Sequence, residues 1–213
     1  MRSPFRTSIV RKATALVATG LLILLSLPAM TETWYVDGSV PESGDGQSTG
    51  SAFKTIQEAI DSASDADTNV VERRTYYENV HYKGKNIRLR STNPLDPDVV
   101  AGTIIDGFRN GSVVSFAGTE NESCLLSGFT IRQGRAEEGA GIYGGPYESR
   151  TRATISHNVI TRNSASSNGG GVSYCSGALS DNVVMNNSAG EKGGGLYQCD
   201  GIIRNCKVEH NSA

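Results

Sequence analysis

The sequence predicts an all-β solenoid, a parallel β-helix closed at its amino end by a short helix. Three observations carry this. Asn163-Ser164-Ala165, Asn187-Ser188-Ala189 and Asn211-Ser212-Ala213 recur at an interval of 24 residues, as do Gly169-Gly170-Gly171 and Gly193-Gly194-Gly195, and Cys175 and Cys199. A unit that short cannot bury a core of its own, so each must lay its apolar face on its neighbours. Apolar residues keep the same period: Ile155, Leu179 and Ile203 form one column, Ile160, Val184 and Val208 a second, and Val172 and Leu196 a third that Ile142 extends. Parallel strands about 4.8 Å apart turn such columns into continuous ribs of an interior. Finally, 25 glycines without a Gly-X-Y period suit an all-β chain with many tight turns and exclude collagen.

Residues 1–30 stand apart. Arg2, Arg6, Arg11 and Lys12 precede an apolar run from Ala13 to Leu27, with small residues at Ala29 and Thr31. This is the order of a cleavable secretory signal; the alternative is an uncleaved anchor, for which the run is short against a span of about 20 residues. Residues 31–66 read as a strand at Trp34-Tyr35-Val36, a loop from Asp37 to Ser51, and an amphipathic helix with Phe53, Ile56, Ala59, Ile60 and Ala63 on one face. Thr55 and Glu58 have the spacing of a capping box, and the helix is expected to cover the open end of the stack.

Residues 67–213 hold the coils, roughly six at the 24-residue period. Early segments such as Tyr76 to Val80, Thr103 to Ile105 and Phe129 to Ile131 are too short for helices, and turn signals at Asn93-Pro94, Asp96-Pro97 and Asp106-Gly107 bound them. Three short strands per later coil are expected. Asn163, Asn187 and Asn211 share a column, and Asn158 and Asn182 share another; stacked amides at turns bond the layer above and are structural. Ala213 falls mid-coil, and the chain is expected to belong to a longer protein or to dock its end on a partner.

The Trp34-Tyr35-Val36-Asp37 opening, the Phe53 to Ile60 helix, Thr75-Tyr76-Tyr77-Glu78-Asn79-Val80 and the two repeats resemble the exported right-handed parallel β-helix proteins of the pectin-lyase-like group, over nearly all of residues 33–213. The resemblance implies the fold. It leaves activity open, because that group mixes polysaccharide lyases, glycoside hydrolases and non-catalytic surface proteins on one scaffold.

Residues with chemical potential are few. Cys175 and Cys199 lie one coil apart, which places their Cα atoms at about 4.8 Å, within disulfide range; a bridge and a buried thiol stack both fit. Cys124 and Cys206 are expected to stay free. Gly139-Ala140-Gly141-Ile142-Tyr143-Gly144 spells a dinucleotide fingerprint, but its glycines recur in the β repeats, so it is a repeat element. A hydrolase would need two carboxylates about 5 to 9.5 Å apart, for which Asp181 with Glu209 or Asp200, and Asp106 with a neighbour, are the nameable candidates. His81, His157 and His210 occupy different repeat positions. No carboxylate column forms of the kind a Ca²⁺-dependent lyase would need, and the Asp37 to Ser51 loop lacks the oxygen spacing of an EF-hand.

Without the leader the chain carries 16 basic and 22 acidic residues, a net of −6, with no basic stripe, so nucleic acid is not an expected partner. No membrane span is expected after leader removal. The leading expectation is a secreted or cell-surface module, non-catalytic, without cofactor, that associates with polysaccharide or other extracellular material. The alternative is a pectate-lyase-like lyase, which would call for Ca²⁺, or a glycoside hydrolase whose groove lies partly in coils beyond this chain. No catalytic residue is assigned.

Overall fold

A computed structural model describes residues 31–213; the leader assigned to residues 1–30 lies outside them. Every ladder within the four sheets is parallel, and each sheet is built from strands that recur once per coil. Sheet 1 stacks seven strands: Thr33–Val36, Thr68–Val71, Arg88–Ser91, Leu125–Ser127, Thr154–Ser156, Leu179–Ser180 and Ile203–Arg204. Sheet 2 stacks six: Thr75–Tyr77, Ile104–Asp106, Thr130–Arg132, Val159–Thr161, Val183–Met185 and Lys207–Glu209. Sheet 4 stacks five, from Val80–His81 through Val114–Ser115, Ile142–Tyr143 and Val172–Ser173 to Leu196–Tyr197. Between sheets 2 and 4 runs a sheet 3 of three strands, Arg135–Glu138, Ser164–Asn168 and Ser188–Ala189.

The later coils therefore carry four strands rather than the expected three. The extra one lies in the Ser- and Ala-rich stretch after the Asn163 ladder, where an extended backbone is stabilised by its ladder hydrogen bonds and needs no apolar side chains. Crossovers between parallel strands of one sheet are right-handed almost without exception, the hand that the resemblance implies.

The columns read from the sequence superpose. Ile155 pairs with Leu179 and Leu179 with Ile203, Ile160 with Val184 and Val184 with Val208, and Ile142 with Val172 and Val172 with Leu196. The first rib runs back through Leu126, Leu89 and Asn69 to Trp34. The triple glycines follow from coil spacing. Gly169 and Gly193 take positive φ (67° and 64°), and a Cβ on Gly170 would stand 2.2 Å from the Ser188 carbonyl oxygen one coil away.

A helix, α1 (Ile56–Ser62), starts with the expected capping box: Thr55 accepts from the Glu58 N–H, and the Glu58 carboxylate accepts from the Thr55 N–H at 3.0 Å. Its Ile56, Ala59 and Ile60 are fully buried against the first coil. A second helix, α2 (Pro97–Gly102), replaces a stretch expected to be only a turn; Asp96 caps it and Pro97 occupies its first turn, where a missing N–H costs nothing.

One residue breaks the pattern of the first rib. Asn69 is fully buried between Trp34 and Leu89, and neither polar atom of its side chain has a hydrogen-bond partner among the described residues. An unpaired buried amide costs about 1–3 kcal/mol. Asn69→Leu is therefore expected to raise stability by about 1–2 kcal/mol, read as a higher denaturant midpoint at unchanged slope. A lower midpoint would mean that a buried water satisfies the amide.

Candidate functional site

The site forms where sheet 2 turns into sheet 3. Tyr77, Asp106, Arg132 and Thr161 are register partners on successive strands of sheet 2. At the corner that follows, Gln133, Arg162, Asn186 and His210 each adopt positive φ, one residue per coil. The second coil differs: Phe108 and Arg109 both have positive φ (50° and 60°), and Asn110 N–H donates to the Gly107 carbonyl at 2.9 Å. Two successive positive φ values at the centre of a turn suit Asn and Gly, and a bulky residue there costs on the order of 1–2 kcal/mol. The strained turn projects the Phe108 ring outward, 77% exposed and edge-on to the Tyr77 ring, itself 66% exposed, with ring centroids 6.1 Å apart.

Asp106 holds this arrangement. Its Oδ1 accepts from the Phe108 N–H at 3.1 Å, and its Oδ2 accepts from Arg132 Nε at 2.8 Å. Arg109 N–H donates to the Gln133 carbonyl at 2.7 Å, and Gly111 and Arg135 exchange backbone hydrogen bonds at 2.9 Å each, tying the turn to the coil above. The result is a connected groove. One part, of about 560 Å³, lies between Tyr77, Phe108, Arg132 and Arg162; it continues past Arg109, Arg135 and Ser164. Four coils contribute, so its length along the helix axis is about 14 Å.

Four arginines line the groove against Asp106 and, at its far end, Glu137. Arg109, Arg135 and Arg162 are exposed and make no ion pair with any described residue. Nothing in the residue spacing announces this cluster. Coils here run longer than 24 residues, with Ile131 pairing Ile160 at a spacing of 29, so the arginines share no fixed period.

The carboxylates named from sequence do not converge. Both oxygens of Asp106 are engaged as described. Asp181 lies 3.9 Å from His157 Nε2 and accepts from Asn205 Nδ2 at 3.2 Å, Glu209 pairs with Lys207 at 2.9 Å, and Asp200 pairs with Arg150. His81 faces Ser115, and His210 sits at the sheet 2 corner. Among the described residues no group of three or more His, Cys, Asp or Glu side chains gathers as a metal site. In the Asp37 to Ser51 loop, Asp45 closes a turn by accepting from Gln47 N–H and the Ser51 hydroxyl, and those bonds hold its carboxyl below the usual range. The dinucleotide-like glycines lead into the strand Ile142–Tyr143 and not into a helix.

The asparagines form the expected ladder. Asn163 Nδ2 donates to Asn187 Oδ1, and Asn187 Nδ2 to Asn211 Oδ1, each at 3.0 Å, while the same Nδ2 atoms reach the Ile131 and Ile160 carbonyls. In the Asn158–Asn182 column the next place belongs to Cys206, whose sulfur accepts from Asn182 Nδ2 at 3.8 Å. Across sheet 4, Tyr174 meets Tyr143, Tyr147 and Tyr197 edge-on and donates to Glu138 at 2.7 Å; burial first, then that carboxylate, push its hydroxyl up. The Arg150 guanidinium covers the Tyr147 ring at 4.5 Å and bonds Gln198, so this cluster is a clamp on the 144–151 loop.

No helix among the described residues is long and apolar enough to cross a membrane. No family model matches the chain, and no curated protein matches it. Among solved structures, a crystal structure of pectin methylesterase in complex with a hexasaccharide is similar in fold, at 15% identity and a TM-score of 0.45 over 84% of this chain; the chain spans 66% of that one.

Proposed function

We propose that this chain is an exported, non-catalytic β-helix module that binds an anionic polysaccharide in the arginine-lined groove. The observation that carries the reading is the juxtaposition of Arg109, Arg132, Arg135 and Arg162 with the exposed rings of Tyr77 and Phe108. Guanidinium groups pair with carboxylate or sulfate through planar forks, and aromatic faces pack on the apolar faces of pyranose rings. The cluster is concentrated on a chain whose net charge is otherwise acidic, which focuses the field at the groove. A groove about 14 Å long suits a short run of sugar residues. The geometry favours binding over hydrolysis because both oxygens of Asp106, the carboxylate at the aromatic end of the groove, are taken up by the Phe108 N–H and Arg132 Nε.

Affinity electrophoresis through polygalacturonate, a sulfated glycan and a neutral glucan tests this. Retardation is expected in the two anionic gels, fading as salt rises, and none in the glucan. Equal migration in all three overturns the reading. Release of unsaturated uronide, followed by absorbance with and without Ca²⁺, would instead establish the lyase.

The Phe108 turn separates binding from folding. Phe108→Gly is expected to leave stability unchanged or raise it by about 1 kcal/mol, because glycine takes positive φ freely, while weakening glycan binding several-fold. Weaker folding with unaltered binding would show that the ring is structural.

A further inference from the structure

We propose that Cys175 and Cys199 are the two ends of a covalent staple, an inter-coil disulfide formed by exchange with a small-molecule disulfide. The register fixes their relation. Ser173 pairs with Tyr197 in sheet 4, and two residues on, the Asp200 N–H donates to the Cys175 carbonyl at 3.2 Å, so the two cysteines hold the same place in neighbouring coils. Their Cα atoms are then about 4.8 Å apart, inside the range of about 4.4–6.8 Å that a disulfide accepts. Both side chains pack against the core, Cys175 fully enclosed and Cys199 half-buried.

The thiols are chemically unequal. Cys175 Sγ donates to the Ser173 carbonyl at 3.6 Å from a fully enclosed position, and Cys199 Sγ donates to the Tyr197 carbonyl at 3.5 Å from a half-buried one. Cys199, the more accessible, is the attacking group. Its thiolate attacks one sulfur of the small-molecule disulfide, forming a mixed disulfide and expelling one thiolate. The Cys175 sulfur, giving up its proton, then displaces the second. Two protein thiols are oxidised, one small-molecule disulfide is reduced to two thiols, and the protons pass to those thiols.

The other cysteines are placed elsewhere. Cys124 is enclosed, with burial pushing its thiol up, and Cys206 fills the asparagine column beside Asn182. A bridge at Cys199 would fasten the turn Gln198 to Asp200, whose groups hold Arg150 and through it the tyrosine clamp.

The test is to incubate the native full chain with oxidised glutathione, block remaining thiols, and map peptides by mass spectrometry. The expected result is loss of two of the four thiols, one cross-linked species joining the Cys175 and Cys199 peptides, and an upward shift of the melting temperature that dithiothreitol reverses. Cys199→Ala should abolish the cross-link and the shift, and Cys206→Ser should leave both. Should Cys199→Ala fail to fold, the wild-type peptide map and the reversibility of its shift still decide the matter. Four blocked thiols after oxidation, glutathione retained at Cys199 without cross-linking, or a bridge involving Cys124 or Cys206 overturns the proposal.

Discussion

Asn187→Ala is expected to destabilise the protein by about 3 kcal/mol or more, the largest effect of any single polar substitution in the coils. Asn187 is 1% exposed. Its Oδ1 accepts from both the N–H and the Nδ2 of Asn163 at 3.0 Å, and its Nδ2 donates to the Ile160 carbonyl at 2.9 Å and to Asn211 Oδ1 at 3.0 Å. Alanine leaves several of these groups without partners in a dry turn, and each orphaned buried group costs about 1–3 kcal/mol. Asn187→Asp would keep the acceptor but place a carboxylate against the Ile160 carbonyl, so it should be destabilising as well. Urea unfolding followed by circular dichroism measures both. A loss below 1 kcal/mol for alanine would mean that the ladder is dispensable to stacking.

Reversing charge in the groove is expected to remove glycan binding without disturbing the fold. Arg109→Glu with Arg162→Glu converts two exposed guanidinium groups into carboxylates facing an anionic ligand. Each lost charge-assisted hydrogen bond is worth about 1.5–3 kcal/mol and repulsion adds to it, so affinity should fall by at least about a hundredfold. Exposed substitutions of this kind usually change stability by about 0.5 kcal/mol or less. Isothermal titration with an oligouronide, beside a thermal melt, checks both statements. Arg150→Glu, on the tyrosine clamp, is the contrast: it should leave binding intact and loosen the 144–151 loop, because its partners are Gln198 and Asp200.

The coil architecture was legible because it is periodic. Ile155, Leu179 and Ile203 announce their contact by spacing alone, and so do Asn163, Asn187 and Asn211, since in a solenoid sequence period is spatial neighbourhood. The helix α1 was equally readable, from an apolar face and a Thr55–Glu58 box that are local signals. The fourth strand per coil was not, because Ser164 to Ser167 hold their place by backbone pairing and carry no hydrophobic pattern. Asn69 escaped for a similar reason: its burial is set by alignment with Trp34 and Leu89 across loops of unequal length. The groove was hidden for the same cause in stronger form. Arg109, Arg135 and Arg162 meet only once coils of different length are wound up, and the Phe108 turn shows its strain only in backbone angles. The carboxylates that the sequence did offer, Asp106, Asp181, Asp200 and Glu209, proved to be spread among separate ion pairs and turns.

The most direct measurement of the central claim is a backbone amide NMR titration of the protein with a short oligouronide. Binding in the groove predicts shift changes confined to Tyr77, Phe108 to Asn110, Arg132 to Arg135 and Arg162 to Ser164, residues from four coils responding together. Changes centred on Tyr143, Tyr174 and Tyr197, or none at saturating ligand, would contradict it.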